Sequence, residues 1–262
     1  MIHTGLVSVS FRSLKPREII DLVAKAGLDG IEWGGDIHVP PGNLTNAQQV
    51  RQITVDAGLR ISSYGSYYRL GETQSSFEPV LETALTLAAP TIRVWAGNVG
   101  SAQASSDYFS AVADELADIS HRASQTGIAI ALELHDGTLT DSIESTCQLV
   151  DRVNLPTTTC YWQPPHGQSL TERLAGIRQL GQRISNIHVF HWIRDSLGQH
   201  SRQPLSSAAA DWQIFFNTLS GLDGDRFALL EFVRNDDPDQ FLADAGTLKR
   251  ILQSRESGSV KR

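Results

Sequence analysis

The sequence predicts an α/β fold of the (β/α)8 type, a single-domain TIM barrel, on three observations. Apolar runs of strand length recur eight times within 262 residues. Stretches with helical periodicity separate these runs, and each repeat has about the 30-residue length of a strand-loop-helix unit. The rival fold, a doubly wound open sheet, would carry a glycine-rich GxGxxG turn after its first strand, and SVSFRSLKP has none.

The elements follow one another in a regular order. After the first strand, Ile19 and Val23 fall on one stripe of the predicted helix REIIDLVAKAGL, and Gly27 follows as a stop signal. We expect one domain over residues 1–254 and a flexible tail over residues 255–262. The predicted strands are 3–11, 29–33, 59–65, 91–97, 128–134, 157–162, 185–190 and 227–232.

Composition excludes several classes of function. The net charge is −7 and the basic residues are scattered, so we expect no nucleic-acid partner. No window approaches the roughly 18 apolar residues of a membrane span, and the start lacks signal-peptide features, so we expect a cytoplasmic protein with no membrane partner. Cys147 and Cys160 are too few for a disulfide framework, which fits a reducing compartment. A homo-oligomer is left open.

Residues with metal-binding side chains stand at the ends of four consecutive predicted strands. Strand five ends at Glu133, strand six runs into Gln163 and His166, strand seven carries His188, and strand eight ends at Glu231. Active sites of this fold are built at the carboxyl ends of the strands. These side chains are therefore the first candidates for a functional site.

The two glutamates need compensation, because each lies in an apolar strand. A carboxylate buried without a partner costs several kcal/mol or stays protonated. An arginine partner would compensate Glu133 or Glu231, and so would a divalent cation. Two carboxylates at one end of the barrel, with His188 between them in strand order, favour the cation. We expect one divalent metal ion, and carboxylate, imidazole and amide ligands suit Mn, Mg, Co or Zn.

Other side chains near the strand ends are candidates for substrate binding. Aromatic rings can stack on a sugar and exclude water, arginines can anchor hydroxyl or anionic groups, and the histidines lie beside the metal candidates. The candidates are Trp33, Tyr64, Trp95, Arg93, Arg234, His166 and His191. Further rings that could line an aromatic pocket are those of Tyr67, Tyr68, Trp162 and Trp192.

Several motifs in a fixed order carry a resemblance to a known family. They are the opening segment GLVSVSFRSLKPREIIDLVAKAGLDGIEW, the glutamate in ALELHDGTLTDSIEST, the histidines in HVFH, and LLEF preceded by DWQIFFNTL. With them the chain resembles, over nearly its whole length, the xylose isomerase-like TIM-barrel superfamily. This superfamily comprises sugar isomerases and epimerases, including ketose 3-epimerases, hydroxypyruvate isomerases, inosose isomerases and dehydratases, and also endonuclease IV-type repair enzymes.

The resemblance implies a metal site with one departure. In the superfamily, a glutamate, an aspartate, a histidine and a glutamate on strands five to eight bind one divalent metal, and the two glutamates are the acid/base pair. Glu133, His188 and Glu231 match three positions, but Gln163 stands at the aspartate position. Gln163 could bind the metal through its amide oxygen or reach a substrate hydroxyl. His166 keeps the family's spacing after it.

The resulting hypothesis is a metal-dependent isomerase or epimerase of a small keto sugar or polyol-derived ketone. Glu133 and Glu231 would move a proton through a metal-held cis-enediolate. One alternative is a dehydratase or lyase that eliminates from a keto sugar or keto glycoside, and another is a sugar-binding barrel without activity. The expected partner is a small carbohydrate, and the absence of a glycine-rich phosphate loop favours an unphosphorylated one.

Overall fold

A computed structural model of the chain describes residues 1–72, 76–194 and 199–259, with side chains described up to residue 254. Eight parallel strands form a closed barrel, in which β1 pairs with both β2 and the last strand, β10. The predicted TIM barrel is confirmed. The barrel strands are β1 (Ile2–Val7), β2 (Gly30–Gly34), β3 (Arg60–Arg69), β4 (Thr91–Trp95), β5 (Ala129–Glu133), β6 (Thr158–Trp162), β7 (Ile184–Val189) and β10 (Arg226–Leu230).

Helices connect the strands and cover the outside of the barrel. As predicted, α1 ends at a glycine: Gly27 takes the left-handed conformation with φ of 62°. Within the described residues, no helix is long and apolar enough to cross a membrane. The helices are α1 (Pro16–Ala26), α2 (Leu44–Asp56), α3 (Glu78–Leu87), α4 (Ser106–Ser124), α5 (Ile143–Val153), α6 (Leu170–Leu180), α7 (Ala209–Leu219) and α8 (Pro238–Ser259).

Three details differ from the sequence prediction. The first strand is shorter than predicted, because the chain turns into a 3-10 helix at Ser8–Phe11. The last helix, α8, keeps a helical backbone to Ser259, beyond the predicted boundary at residue 254. Residues 260–262 of the predicted tail lie outside the described residues, and its flexibility stays a prediction.

The third difference is a small antiparallel hairpin after β7. It consists of β8 (Trp192–Arg194) and β9 (His200–Arg202), in which Trp192 pairs with Arg202. Sequence patterns did not predict it, because strands of three residues are too short to show an alternating pattern. The hairpin follows the carboxyl end of β7 and so lies at the end of the barrel where the strand-end residues meet.

Inside the barrel, small residues permit apolar packing below the polar site. Val7, Tyr161, Phe227 and Leu229 belong to the interior apolar cluster. Gly30 on β2 faces this interior, where a Cβ would lie 2.6 Å from the carbonyl oxygen of Arg60. Glycine is therefore required for the close approach of β2 and β3.

We expect Gly30→Ala to lower the free energy of unfolding by about 1–3 kcal/mol, because the added methyl group meets backbone that cannot move. Gly246→Ala is the matched control. Gly246 lies within α8 and an added Cβ would meet only the side-chain end of Arg250, at 3.4 Å. That change should raise stability by up to about 1 kcal/mol. Urea denaturation measures the free energy of unfolding of both variants. Equal changes in the two variants would contradict the close packing described for Gly30.

Candidate functional site

A cluster of charged side chains fills the barrel interior at the carboxyl ends of the strands. Glu32, Arg93, Glu133 and His188 project inward from β2, β4, β5 and β7, and Glu231 follows β10 directly. All five are at most 6% exposed. We call these five residues the charge cluster. Sequence analysis predicted three of them as metal ligands and Arg93 as a substrate anchor, but it missed Glu32.

Arg93 joins two glutamates across the barrel. Its Nε lies 2.8 Å from Glu32 Oε1, and its Nη1 donates to Glu133 Oε2. Ser63 donates to the second oxygen of Glu32 at 2.8 Å. Gly65 leaves space for the guanidinium, because a Cβ there would lie 2.7 Å from Arg93 Nη2. Burial alone would raise the pKa of Glu32, but the charge of Arg93 and the contacts with His188 outweigh burial and lower this pKa to about 2.

Glu133 divides its two oxygens between different partners. Oε2 accepts hydrogen bonds from Arg93 and from the indole N–H of Trp95. Oε1 instead faces His188, with 3.6 Å to Nδ1. Burial would raise the pKa of Glu133, but Arg93, His188 and Trp95 together hold it well below its ordinary value. The arginine pairing that the sequence left open is therefore present, and one oxygen of Glu133 remains available.

Three oxygen atoms converge on Nδ1 of His188. Glu231 Oε2 lies 3.2 Å away, Gln163 Oε1 lies 3.4 Å away, and Glu133 Oε1 lies 3.6 Å away. Within the described part of the chain, Glu231 Oε2 is buried without a hydrogen-bond partner. Burial alone would lower the pKa of His188, but the surrounding glutamates outweigh it and raise this pKa well above its ordinary value.

This arrangement fits a divalent cation. Donor atoms about 2.0–2.2 Å from an ion and at right angles to each other lie roughly 3 Å apart, close to the distances seen around Nδ1. Donor atoms of Glu133, His188 and Glu231 all lie within 4.8 Å of one another. The three glutamates carry three negative charges and Arg93 carries one positive charge. A divalent cation would therefore bring the cluster to neutrality when His188 is neutral.

Gln163 has an orientation suited to a ligand. Its amide nitrogen donates to the carbonyl oxygen of Leu134 at 2.5 Å. Because a carbonyl can only accept, this bond turns the amide oxygen of Gln163 toward His188. The side chain is half-buried, as expected for a residue between the cluster and the space above it.

A cavity of about 470 Å³ opens above the charge cluster. Among the predicted substrate residues, Arg93, Trp95 and His166 line it. His191 lines a separate cavity of about 60 Å³ beside His166. Of the further aromatic candidates, Tyr67 and Trp192 line the main cavity, whereas Tyr68 and Trp162 are buried in the core. Side chains that sequence analysis did not select also line the main cavity, and they are Arg12, His135, His200, Arg202 and Phe232.

Three predicted substrate residues lie away from the cavity. Trp33 and Tyr64 point outward into the core between barrel and helices, because they lie one residue away from the inward-facing positions on β2 and β3. The hydroxyl of Tyr64 donates to the carbonyl of Val39 at 2.8 Å. Arg234 is exposed and donates to Gln240 at 3.0 Å instead of reaching the cavity.

A family model for the xylose isomerase-like TIM barrel matches residues 20–251. The chain belongs to this family. The resemblance carried by the sequence motifs is thereby confirmed, and the charge cluster lies at the barrel end where the family resemblance placed the metal. A search of functionally curated proteins finds no match to the chain.

Solved structures share the fold over nearly the whole chain. A probable 3-DHS dehydratase, AsbF, from Bacillus anthracis has a TM-score of 0.79 at 20% identity, and the match covers 95% of this chain and 99% of the dehydratase chain. A 3-keto-D-glucoside 4-epimerase from E. coli has a TM-score of 0.69 at 16% identity, and the match covers 97% of this chain and 100% of the epimerase chain. A xylose isomerase-like TIM barrel protein from Mycobacterium smegmatis in complex with magnesium has a TM-score of 0.68 at 14% identity, and the match covers 96% of this chain and 97% of that protein's chain.

We expect Arg93→Met to lower the free energy of unfolding of the metal-free protein by about 3–5 kcal/mol, since Glu32 and Glu133 would lose their shared cation. Adding Glu32→Gln should recover part of this loss, because it removes one of the uncompensated carboxylates. Guanidinium denaturation of both variants gives the comparison. A double variant less stable than the single one would contradict the charge-balancing role of Arg93.

Proposed function

We propose that the protein is a divalent-metal-dependent isomerase or epimerase of a small keto sugar or polyol-derived ketone. The observation that carries this proposal is the convergence of Glu133, Gln163 and Glu231 oxygens on Nδ1 of the buried His188, at the floor of a cavity large enough for a sugar. Membership of the xylose isomerase-like family supports it. So does the similarity to a 3-keto-D-glucoside 4-epimerase.

Four side chains would hold the ion. They are Glu133 through Oε1, Gln163 through its amide oxygen, His188 through Nδ1 and Glu231 through Oε2. When bound, the ion would supply Lewis acidity toward the carbonyl oxygen of the substrate. Mn, Mg, Co and Zn all accept this ligand set, and a structural relative contains magnesium.

The two glutamates have unequal surroundings, which suggests different roles. Two hydrogen bonds to Oε2 of Glu133, from Arg93 and Trp95, stabilise its ionised form and fix its orientation. Glu231 has no arginine partner in the described chain and is the better acceptor for a proton from the carbon next to the carbonyl. In an epimerisation, a water molecule hydrogen-bonded to the ionised Glu133 would protonate the opposite face, and the proton taken by Glu231 would neutralise the hydroxide left behind.

The same asymmetry favours a second candidate, a dehydratase or lyase. Elimination needs one acid/base group: Glu231 would take the proton from carbon, the electron pair would form a carbon–carbon double bond, and Glu231 would give the same proton to the leaving oxygen, which departs as water or an alcohol. Glu133 would then need only to stay ionised. The probable 3-DHS dehydratase has the highest TM-score of the structures described above. Product analysis separates the candidates, because elimination releases water or an aglycone.

The charges around the cavity favour a neutral substrate. Each arginine lining the described cavity has a carboxylate partner: Arg12 pairs with Asp36, Arg202 pairs with Asp236 at 2.5 Å, and Arg93 pairs as described. Paired arginines attract a phosphate less than free ones do, because the carboxylate already offsets their charge. An unphosphorylated carbohydrate is therefore the proposed substrate.

Metal titration tests the ligand set. Calorimetric titration of MnCl2 into the metal-free protein should give one ion per chain, and Glu231→Gln should weaken binding by at least about tenfold, because a charged ligand is lost. Gln163→Asp should tighten binding, since a carboxylate donates more charge than an amide.

Asp136→Asn is the matched control, because Asp136 lines the cavity outside the charge cluster. Its metal affinity should match the wild type. If Gln163→Asp leaves metal affinity unchanged and raises KM, Gln163 contacts the substrate and is not a ligand. Failure of the wild type to bind Mn, Mg, Co or Zn would refute the metal-dependent proposal.

Proton transfer is tested with a panel of ketohexoses and 3-keto glucosides in D2O. Wild type should place deuterium on the carbon next to the carbonyl, and EDTA should stop this exchange. We expect Glu231→Gln and Glu133→Gln each to lower turnover by about 100-fold or more, because each removes a proton-transfer group and a metal ligand. Turnover without any exchange would instead indicate a hydride shift or a redox route.

A further inference from the structure

One side of the cavity is an aromatic surface at the carboxyl ends of β3, β4 and β5. We call Tyr67, Trp95 and His135 the first wall. The ring centroids of Tyr67 and Trp95 are 5.3 Å apart, and those of Trp95 and His135 are 4.9 Å apart. The guanidinium of Arg69 lies 4.1 Å from the ring centre of Trp95 and holds this ring from another side.

A larger aromatic surface stands after β6, β7 and β10, and Trp192 of the hairpin is at its centre. The ring of Trp192 lies 4.6 Å from Phe232 and 5.3 Å from Phe190. His166 stacks on Trp192 at 5.2 Å with an interplanar angle of 20°, and His200 lies 5.4 Å from it. We call these five residues the second wall.

The two walls face each other across the barrel. In the closed strand order, β7 stands opposite β3, and β10 stands opposite β4. Tyr67 and Trp95 therefore lie across the opening from Trp192 and Phe232, and all four residues line the same cavity. The space between them is bounded by rings on both sides and by the charge cluster below.

Backbone conformation marks one residue in each wall. Tyr67 has φ of 59° and Phe232 has φ of 51°, in the left-handed region that bulky residues rarely adopt. Neither ring is fully buried, so packing in the core does not explain these conformations. Strained residues of this kind concentrate where a side chain must be aimed at a ligand.

The cavity is thus divided into a polar floor and an aromatic mouth. Its volume of about 470 Å³ is in the range of sites that hold ligands larger than one hexose. We propose that the substrate is a glycoside whose sugar ring lies on the charge cluster and whose planar aromatic aglycone lies between the two walls. The sugar part of this substrate rests on the proposed function. The aromatic aglycone follows from the two walls alone.

Binding of matched glycosides tests the proposal without requiring turnover. The probes are the phenyl, cyclohexyl and methyl β-glycosides of glucose, galactose and xylose, titrated calorimetrically into the magnesium-loaded full chain. For at least one sugar, the phenyl glycoside should bind about tenfold more tightly than the methyl glycoside, because a flat ring can stack on the aromatic side chains that line the cavity. The cyclohexyl glycoside, which is apolar but not flat, should bind more weakly than the phenyl glycoside.

Two conservative variants test whether the second wall causes the preference for the phenyl glycoside. Trp192→Leu and Phe232→Leu keep apolar volume but remove a ring of the second wall, so each should reduce the preference for phenyl over methyl to about twofold or less. Ile214→Ala is the control, because Ile214 is an exposed residue of α7 away from the cavity, and it should keep the wild-type preference. Thermal melting checks that each variant is folded. The wild-type comparison stands even if a variant does not fold.

The outcomes separate this inference from the proposed function. Equal binding of phenyl and methyl glycosides, no binding of either, or tighter binding of the cyclohexyl glycoside would overturn the aromatic specificity, even if the protein epimerises free keto sugars. A clear phenyl preference together with absence of metal-dependent deuterium exchange would support the aromatic walls and refute the isomerase.

Discussion

The ion pairs of Arg93 with Glu32 and Glu133 are the constraint on which the rest of the site depends. Three glutamates inside one barrel would repel one another, and a guanidinium between two of them makes their burial tolerable. Arg93 uses one oxygen of Glu133 and leaves the other facing His188. The same contact thus stabilises the barrel interior and orients the oxygen that we propose as a metal ligand, so the stability of the barrel and the proposed function depend on one side chain.

The sequence predicts the fold well because each strand-helix unit carries its own local pattern, and a stop signal such as Gly27 can be read without knowing the rest of the chain. It also predicts that Glu133, His188 and Glu231 meet at one end of the barrel, since polar residues at the ends of apolar strands are conspicuous. Their convergence follows from the parallel arrangement of the strands. What the sequence does not contain is the pairing of residues that are far apart in the chain.

Glu32 shows this limit, because its partner Arg93 is 61 positions away and nothing local links the two. Trp33 and Tyr64 show a second limit, since one step along a strand reverses the direction in which a side chain points. The pairing of β2 with β3 also contains a register irregularity, which a sequence pattern does not show. The hairpin shows a third, because its strands are too short for periodicity. The sequence thus does not show which distant residues pair, which way a strand side chain points, or where very short strands form. The barrel itself can be predicted because it depends on repeated local signals.

The hairpin has a further consequence for how such a protein can diverge. Its strands pair with each other and not with the barrel, so they form a two-stranded sheet of their own beside β7. The charge cluster, by contrast, is anchored in barrel strands and the residue that follows β10. Substitutions in the hairpin can therefore reshape the cavity wall at little cost to barrel stability, and the charge cluster stays intact. The part of the cavity wall that lies in the hairpin can thus change over evolution while the charge cluster is retained.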